Sequence, residues 1–284
     1  MSGGWRWSGT SGCAPVPEGH TLHRLAREQN AVFAGRAVHV TSPQGRFAAG
    51  AERLDGRVLD EVTAYGKHLF ACFGPEVLHV HLGLYGSFTS GTGAPPVPRG
   101  ALRMRWVADG PDGGTVWTDL RGPTACEVLP PPEVDRIVAR LGPDPLRRGA
   151  DGTLAHRRIA RSRTAIGALL MDQTVLAGVG NVYRAELLFR HRVSRFRPGR
   201  DVDEELWTAM WADLVTLMRA GVRMGRIVTT LPEHRSRRGG AVQRFDAHYV
   251  YRRTGMPCRV CGTEVRTQEM VGRNLYWCPT CQAG

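Results

Sequence analysis

Near its C-terminus the chain reads PCRVCGTEVRTQEMVGRNLYWCPTCQ, which sets Cys258, Cys261, Cys278 and Cys281 in a C-x2-C-x16-C-x2-C pattern. Each C-x2-C turn can aim two thiolates at one ion, and two such turns complete a tetrahedron. Four cysteines close the shell, so one Zn2+ held there would carry structure and not catalysis. Between the pairs, TEVRTQEMVGRNLYWC reads as a β-hairpin with Gly272 and Arg273 at its tip. An arginine fixed there by metal can clamp a phosphate, although a turn arginine taken alone is more often simply solvated. Seven cysteines leave one over in any disulfide scheme. The paired spacing therefore points to metal in a reducing cytoplasm. Cys13, Cys72 and Cys126 read as incidental or buried thiols.

At 284 residues and 42% hydrophobic, the chain can bury substantial cores in two domains or one large one. A formal net charge of +12 and a pI near 10.1 favour a polyanionic partner, with nucleic acid the leading candidate. Almost all the cations are arginine, and Lys67 is the only lysine. No run of about 18 apolar residues exists, so no membrane-spanning helix is expected. The opening MSGGWRWSGTSGCAPV lacks the charged and apolar regions of a signal peptide.

Residues 1–16 are rich in Gly and Ser with no apolar period, and read as a disordered extension or a mis-assigned start. Residues 17–132 open with a helical pattern and continue as short alternating runs: RAVHVTS, GRVLDEVTAYG, KHLFACF, EVLHVHLGLYGSF, LRMRWVA and GTVWTDL. Gly, Pro and Asp turns separate them, as in a β-sandwich or barrel. Gly91–Gly100 reads as a surface loop. The texture turns helical over residues 133–240, in EVDRIVARL, AIGALLMDQTVLAGVGNVYRAELLFR and DEELWTAMWADLVTLMRAGV. RSRRGGAVQRF reads as a flexible basic loop, and residues 241–284 carry the cysteine module. Within LAGVGN, Gly178 and Gly180 permit a sharp turn before Asn181, which reads as a helix N-cap with exposed N–H groups suited to phosphate. An ordinary helix connection would look the same. Arg157, Arg158, Arg161 and Arg163 upstream tilt the reading toward a DNA-facing surface.

These parts together resemble the formamidopyrimidine-DNA glycosylase and endonuclease VIII family of base-excision repair enzymes. The resemblance runs from Pro17 to Gln282. It rests on PEGHTLHRL, GKHLF, HLGLYG, MDQTVLAGVGNVYRAELLF and YVYRRTGMPCRVCG with GRNLYWCPTCQ, in that order. It implies an α+β fold: an N-terminal β-sandwich with flanking helices, a helix-two-turn-helix domain and a C-terminal zinc finger. It also implies a monomer that binds damaged double-stranded DNA, removes oxidised bases and cuts the strand as an AP lyase.

The resemblance assigns roles residue by residue. Pro17 would be the nucleophile, attacking C1′ of the damaged nucleotide through its amine. Glu18 would protonate the sugar ring and relay protons during elimination; without Pro17 beside it, Glu18 would read as a helix-start acid. Lys67, Asn181 and Arg273 would grip phosphates around the extruded nucleotide. Leu84 and Tyr85 would wedge into the gap left by the flipped base, and Arg121 would face the opposite-strand base. The formamidopyrimidine branch usually follows that arginine with an aromatic, and RGPT has none. GLYG, in place of that branch's methionine-containing loop, and TLHR after PEGH lean toward the endonuclease VIII side and oxidised pyrimidines. Oxidised purines are the alternative within the family.

An internal proline cannot play this role, because its nitrogen is an amide without a lone pair to donate. The family's active chains begin Met-Pro-Glu, and Val16 stands at the methionine position. In a GC-rich genome a GTG valine codon can serve as a start read as methionine, whose removal would free Pro17. The expectation is therefore a chain starting at residue 16. A chain that keeps residues 1–16 would instead be a zinc-containing damaged-DNA-binding protein without lyase chemistry.

Overall fold

The computed structural model describes residues 17–110 and 112–283. The extension expected to be disordered, and Cys13 with it, lies outside the described residues. Two compact units emerge. Among the described residues, one comprises 22–139 with Pro17; the other comprises 140–283 with the short segment Glu18–Thr21.

In the first unit, α1 (Gly19–Phe33) contributes its length beyond Thr21, followed by β1 (Ala37–Thr41), α2 (Ala48–Leu54), β2 (Arg57–Val58), β3 (Glu61–Tyr65) and β4 (His68–Phe73). Then come β5 (Glu76–His81), β6 (Ser87–Thr92), β7 (Leu102–Asp109), β8 (Thr115–Arg121), β9 (Ala125–Leu129) and α3 (Pro131–Ala139). The strands form two antiparallel sheets, ordered β2-β1-β7-β8-β6 and β3-β4-β5-β9. Period-2 alternation sends Leu69, Ala71 and Phe73 of β4, with Leu78 and Val80 of β5, into one shared core. Trp106 lies at its centre, with Phe33 and Phe73 edge-on to it at 5.7 Å each. A buried Asp119 carboxylate receives Arg105 through two bonds of 2.6 and 2.9 Å, so the charges inside this sheet are paired. The expected sandwich is present. The strand readings missed α2 and β9, whose ACEVL lacks strict alternation, and β6 takes the first two residues of the expected Gly91–Gly100 loop.

The second unit contains α4 (Gly152–Ile159), α5 (Ile166–Leu169), α6 (Asn181–Arg190), α7 (Glu204–Met224), β10 (Arg266–Met270) and β11 (Arg273–Trp277). Asp203 caps α7 by accepting from the Leu206 N–H at 2.8 Å, and Gly225 ends it in the left-handed region at φ 69°. The helical spacing of Met210, Leu214 and Leu217 buries one face of α7 against α6 residues Tyr183, Leu187 and Leu188.

The run AIGALLMDQTVLAGVGNVYRAELLFR, read as helical with a sharp turn at Gly178 and Gly180, is broken over the longer stretch between α5 and α6. Side chains that compete with the helix explain the break. Asp172 Oδ1 accepts from the Thr174 N–H and hydroxyl, while Gln173 accepts from Gly178 N–H and donates to the Val179 carbonyl. The basic segment expected to be flexible is anchored at its start and its end, where Ser236 N–H and hydroxyl donate to Asp246.

Candidate active site

Glu18 is fully buried, and its carboxylate sits on the start of α6. Oε2 accepts from Gly180 N–H at 3.0 Å and from Tyr183 N–H at 3.3 Å; Oε1 accepts from Val182 N–H at 2.7 Å. These are the orphan donors that every helix leaves at its first turn, and the positive end of the helix dipole lies among them. The amides expected to receive phosphate are therefore taken by the protein's own carboxylate. The cap of α6 also differs from expectation: Gly180 occupies that position, and Asn181 is the first helical residue.

Two glycines make the seat possible. A Cβ on Gly180 would stand 2.5 Å from Glu18 Cδ, so only glycine leaves room for the carboxylate. A Cβ on Gly19 would meet Gly178 Cα at 2.8 Å, where Gly19 N–H donates to the Gly178 carbonyl at 2.8 Å. The PEG and GVG motifs are thus two halves of one contact.

Asn181 is locked at both ends of its amide. Its Nδ2 donates to the Asn274 carbonyl at 2.9 Å, and its Oδ1 accepts from Arg184 Nη2 at 2.5 Å. Arg184 is fully buried and donates through Nη1 to the carbonyls of Gly167 (3.3 Å) and Met270 (3.2 Å). Burial pulls its guanidinium down to about 10, the nearby Glu18 charge opposes that, and Arg273 adds to it. Arg273 is exposed at the start of β11, opposite Met270. Among the described residues no hydrogen bond or ion pair engages its guanidinium. Glu18, Asn181, Arg184 and Arg273 thus surround the start of α6, with one carboxylate fully satisfied and one exposed guanidinium available to an anion.

The hairpin that carries Arg273 has the expected form. Met270 and Arg273 close a two-residue turn, with Val271 at φ 55° and Gly272 at φ 62°. Leu275 and Trp277 bury into the helical core. The four cysteine sulfurs lie within 4.8 Å of one another, with Cys258–Cys281 at 3.9 Å and Cys261–Cys278 at 3.4 Å. A tetrahedron with Zn–S bonds near 2.3 Å spaces its sulfurs about 3.8 Å apart, so the set fits one structural zinc ion. Glu186, also fully buried, ties the lead into this module to α6 by accepting from Tyr249, Val250 and Tyr251 N–H at 2.7, 2.8 and 2.8 Å.

In the first unit, Lys67 occupies the Gly66–Lys67 turn between β3 and β4, a turn and not a strand position. Leu84 is half-buried and Tyr85 is 87% exposed, both on the tight turn after β5 in which Gly83 has φ 66° and Gly86 N–H donates to the Leu82 carbonyl. Arg121 is occupied within its own sheet: it donates to Asp119 Oδ2 at 2.9 Å and to the Arg99 carbonyl. Arg157, Arg158, Arg161 and Arg163 are all exposed, as a basic surface requires.

Sequence reasoning passed over Arg184 and Glu186. Their signal was available: two charges inside the otherwise apolar run VYRAELLF, where burial demands partners. The identity of those partners was not.

Three family models cover most of the chain. They are the formamidopyrimidine-DNA glycosylase N-terminal domain over residues 16–126, the formamidopyrimidine-DNA glycosylase H2TH domain over 141–233, and the zinc finger found in FPG and IleRS over 255–284. The chain belongs to the formamidopyrimidine-DNA glycosylase and endonuclease 8 family of base-excision DNA glycosylases. It is 55% identical to Endonuclease 8 1 of Mycobacterium tuberculosis over 272 residues, spanning 94% of this chain and all of the relative. The formamidopyrimidine-DNA glycosylase of Methylococcus capsulatus is 33% identical over 240 residues, covering 81% of this chain and 84% of the relative. Among solved structures, the MutM (Fpg) protein from Thermus thermophilus superposes with a TM-score of 0.73 at 29% identity, covering 94% of this chain and 98% of that one. A Lactococcus lactis Fpg complexed with abasic-site DNA reaches 0.75 at 20% identity, covering 94% and 100%, and shows the shared fold.

Proposed function

We propose that this protein excises oxidised bases, pyrimidines foremost, and then cleaves the strand as an AP lyase through the amine of Pro17. The observation that carries the reading is the carboxylate of Glu18, seated on the α6 amides and joined directly to Pro17 by the chain. The pyrimidine preference is supported by GLYG and by the 55% identity to a protein named Endonuclease 8 1, against 33% to one named formamidopyrimidine-DNA glycosylase.

In the proposed reaction the Pro17 nitrogen lone pair forms a bond to C1′ and loses its N–H proton. The glycosidic bond breaks, and the base leaves with the bonding pair and takes up a proton. The nitrogen lone pair then forms the iminium as the C1′–O4′ bond breaks, O4′ takes up a proton relayed through Glu18, and the iminium acidifies C2′–H. Glu18 serves as the base that removes that proton, and elimination then expels the 3′ phosphate. An ionised carboxylate bonded by three N–H donors suits this step, and it also stabilises the adjacent cation. An α-amine with a pKa near 8 is about a tenth unprotonated at neutral pH, so Pro17 needs no special activation. Lys67 and Arg273 supply cations for phosphate, Asn181 supplies the second N–H of its Nδ2, the first being bonded to the Asn274 carbonyl, and Leu84 and Tyr85 supply apolar surface to fill the vacated stack. Zinc acts here only by holding the hairpin that presents Arg273.

The test compares a chain whose first residue is Pro17 with the 284-residue chain. Borohydride added during reaction with an abasic duplex should trap a covalent adduct on Pro17 in the first and none in the second. Trapping of equal yield in a verified untrimmed chain would remove Pro17 as nucleophile and make Lys67 the first suspect. Comparing thymine glycol with 8-oxoguanine duplexes checks the base preference, and faster release of 8-oxoguanine would reverse it.

A further inference from the structure

The sheet face opposite the sandwich core carries a cluster that the reaction above does not use. Cross-strand register places His68 of β4 beside His81 of β5, and His79 of β5 beside Glu127 of β9. Glu127 Oε1 lies 2.9 Å from His79 Nδ1, and His79 Nε2 lies 2.8 Å from His68 Nδ1. A carboxylate only accepts, so His79 carries its proton on Nδ1. Its Nε2 is then an acceptor when the ring is neutral, and His68 must donate from its own Nδ1. The glutamate thereby sets the tautomers of both rings in sequence.

His81 stands at the edge of this relay, its ring 4.9 Å from that of His68. Its Nδ1 lies 3.2 Å from Gly83 N, and a backbone N–H can only donate. The bond therefore needs the Nδ1 lone pair, which exists only in the neutral imidazole protonated on Nε2. The turn it holds is constrained from other sides as well. The His81 carbonyl accepts from Thr124 N–H at 2.9 Å, and Gly83 at φ 66° lies so close against Thr124 that a Cβ there would meet its hydroxyl. Leu84 and the 87%-exposed Tyr85 follow at once.

We propose that His81 is a positioning residue for the Leu84–Tyr85 turn: its Nδ1 lone pair accepts from Gly83 N–H and pins the turn from which Leu84 and Tyr85 project. The inference rests on the wedge role proposed above. The groups around His81 are His79 on its own strand, His68 on β4, Lys67 on the β3–β4 turn and Glu127 on β9; α3, which packs on β5, carries Glu133, Asp135 and Arg136. Burial, His79 and Lys67 all act to lower the His81 pKa, in that order of size, so the pin holds at neutral pH and fails only in acid. Once His81 is protonated, the Gly83 N–H loses its acceptor and the turn loses its anchor.

The test uses two variants and two readouts. His81→Asn keeps an acceptor oxygen that can reach the N–H two residues on, without titrating; His81→Leu keeps bulk and removes the acceptor. In the protein without DNA, the Gly83 amide NMR shift should move with an acid titration in the native chain and stay flat in His81→Asn. A Gly83 shift that ignores the titration overturns the proposal. The second readout is the affinity ratio between a duplex holding an unreactive tetrahydrofuran abasic analogue and an undamaged duplex. It should fall about five-fold on acidification of the native chain, the equivalent of one lost hydrogen bond. His81→Leu should show the reduced ratio at every pH, and His81→Asn should keep the native ratio into acid. General electrostatics works in the opposite direction, since added positive charge tightens DNA binding. A native ratio in His81→Leu, or the same acid fall in His81→Asn, overturns the inference. A native chain with no preference for the analogue, but with a Gly83 shift that tracks the titration, counts against the function and leaves the pin standing.

Discussion

Replacing Gly180 with alanine is the most direct way to disturb the seat of Glu18. Its backbone, at φ −122° and ψ −160°, is open to any residue, so the substitution introduces no backbone strain and isolates the effect of one methyl group. That methyl would stand 2.5 Å from Glu18 Cδ and 2.7 Å from Oε1. Carbon atoms pack best at about 3.5–4.0 Å, so the carboxylate must retreat by about 1 Å. Bonds of 2.7 to 3.3 Å to Gly180, Val182 and Tyr183 would then stretch beyond useful length. Each bond to a charged acceptor is worth about 1.5–3 kcal/mol, and at a helix cap alanine returns no helix propensity to offset the loss. With partial replacement by water, the net loss should be about 2–4 kcal/mol. At about 2–4 °C per kcal/mol for a chain of this size, the melting temperature should drop by about 5–10 °C. A displacement of about 1 Å at a reacting group costs about 100-fold in rate, so nicking of an abasic duplex should fall by that order. Calorimetry and a single-turnover nicking assay check the two effects. Gly239→Ala, where a Cβ meets nothing within 4 Å, serves as the silent control. Native melting and native nicking in Gly180→Ala would refute the claim that this glycine exists to admit the carboxylate.

Chelation or Cys278→Ser should remove zinc, release the β10–β11 hairpin and carry Arg273 away while leaving the sandwich folded. Circular dichroism should retain the strand signal, and the salt slope of log K for DNA binding should flatten by about one unit for the lost phosphate contact. A steeper or unchanged slope would count against the phosphate role of Arg273. A pH effect is expected at Asp213, which pairs with Arg190 at 2.7 and 2.8 Å and with His191 at 3.2 Å. Burial alone would raise this carboxyl, but hydrogen bonds from His191 and Arg190, with their charges, outweigh it and hold it below the ordinary carboxylate value. A depressed folded-state pKa gives stability that is present above the unfolded value of 3.8 and lost as pH falls through the folded value. Asp213→Asn should therefore destabilise at neutral pH, with a deficit that shrinks below about pH 4; a deficit constant across denaturation curves from pH 7 to 3 would contradict this.

Much of this protein is legible in one dimension because the physics behind it is local. The C-x2-C pairs announce a metal site, since four thiolates at that spacing close a tetrahedron wherever the module sits. Period-2 runs such as KHLFACF announce strands, and Leu206, Met210, Leu214 and Leu217 announce the face of α7 that packs on the core, Leu206 only in part. PEGHTLHRL and LAGVGN could be identified as motifs of a family without knowing that they touch. What only the tertiary structure decided is the pairing of groups distant in sequence. Glu18 and Gly180 stand 162 positions apart, and nothing local indicates that the helix-start amides of α6 would be filled by a carboxylate and not by a phosphate. The resemblance sets Arg121 opposite a base, and only folding shows that Asp119 and the Arg99 carbonyl lie within its reach. The helix predicted from residue 165 up to the Gly178 turn ends early, at Leu169, for a related reason: Asp172 and Gln173 bond back to the loop they create, and tertiary bonds from Gly142 and Ala177 stabilise that loop. A buried polar group announces in the sequence that it needs a partner, because leaving it unpaired costs several kcal/mol; which partner it takes depends on chain reversals and packing, and these are settled only when the whole core closes.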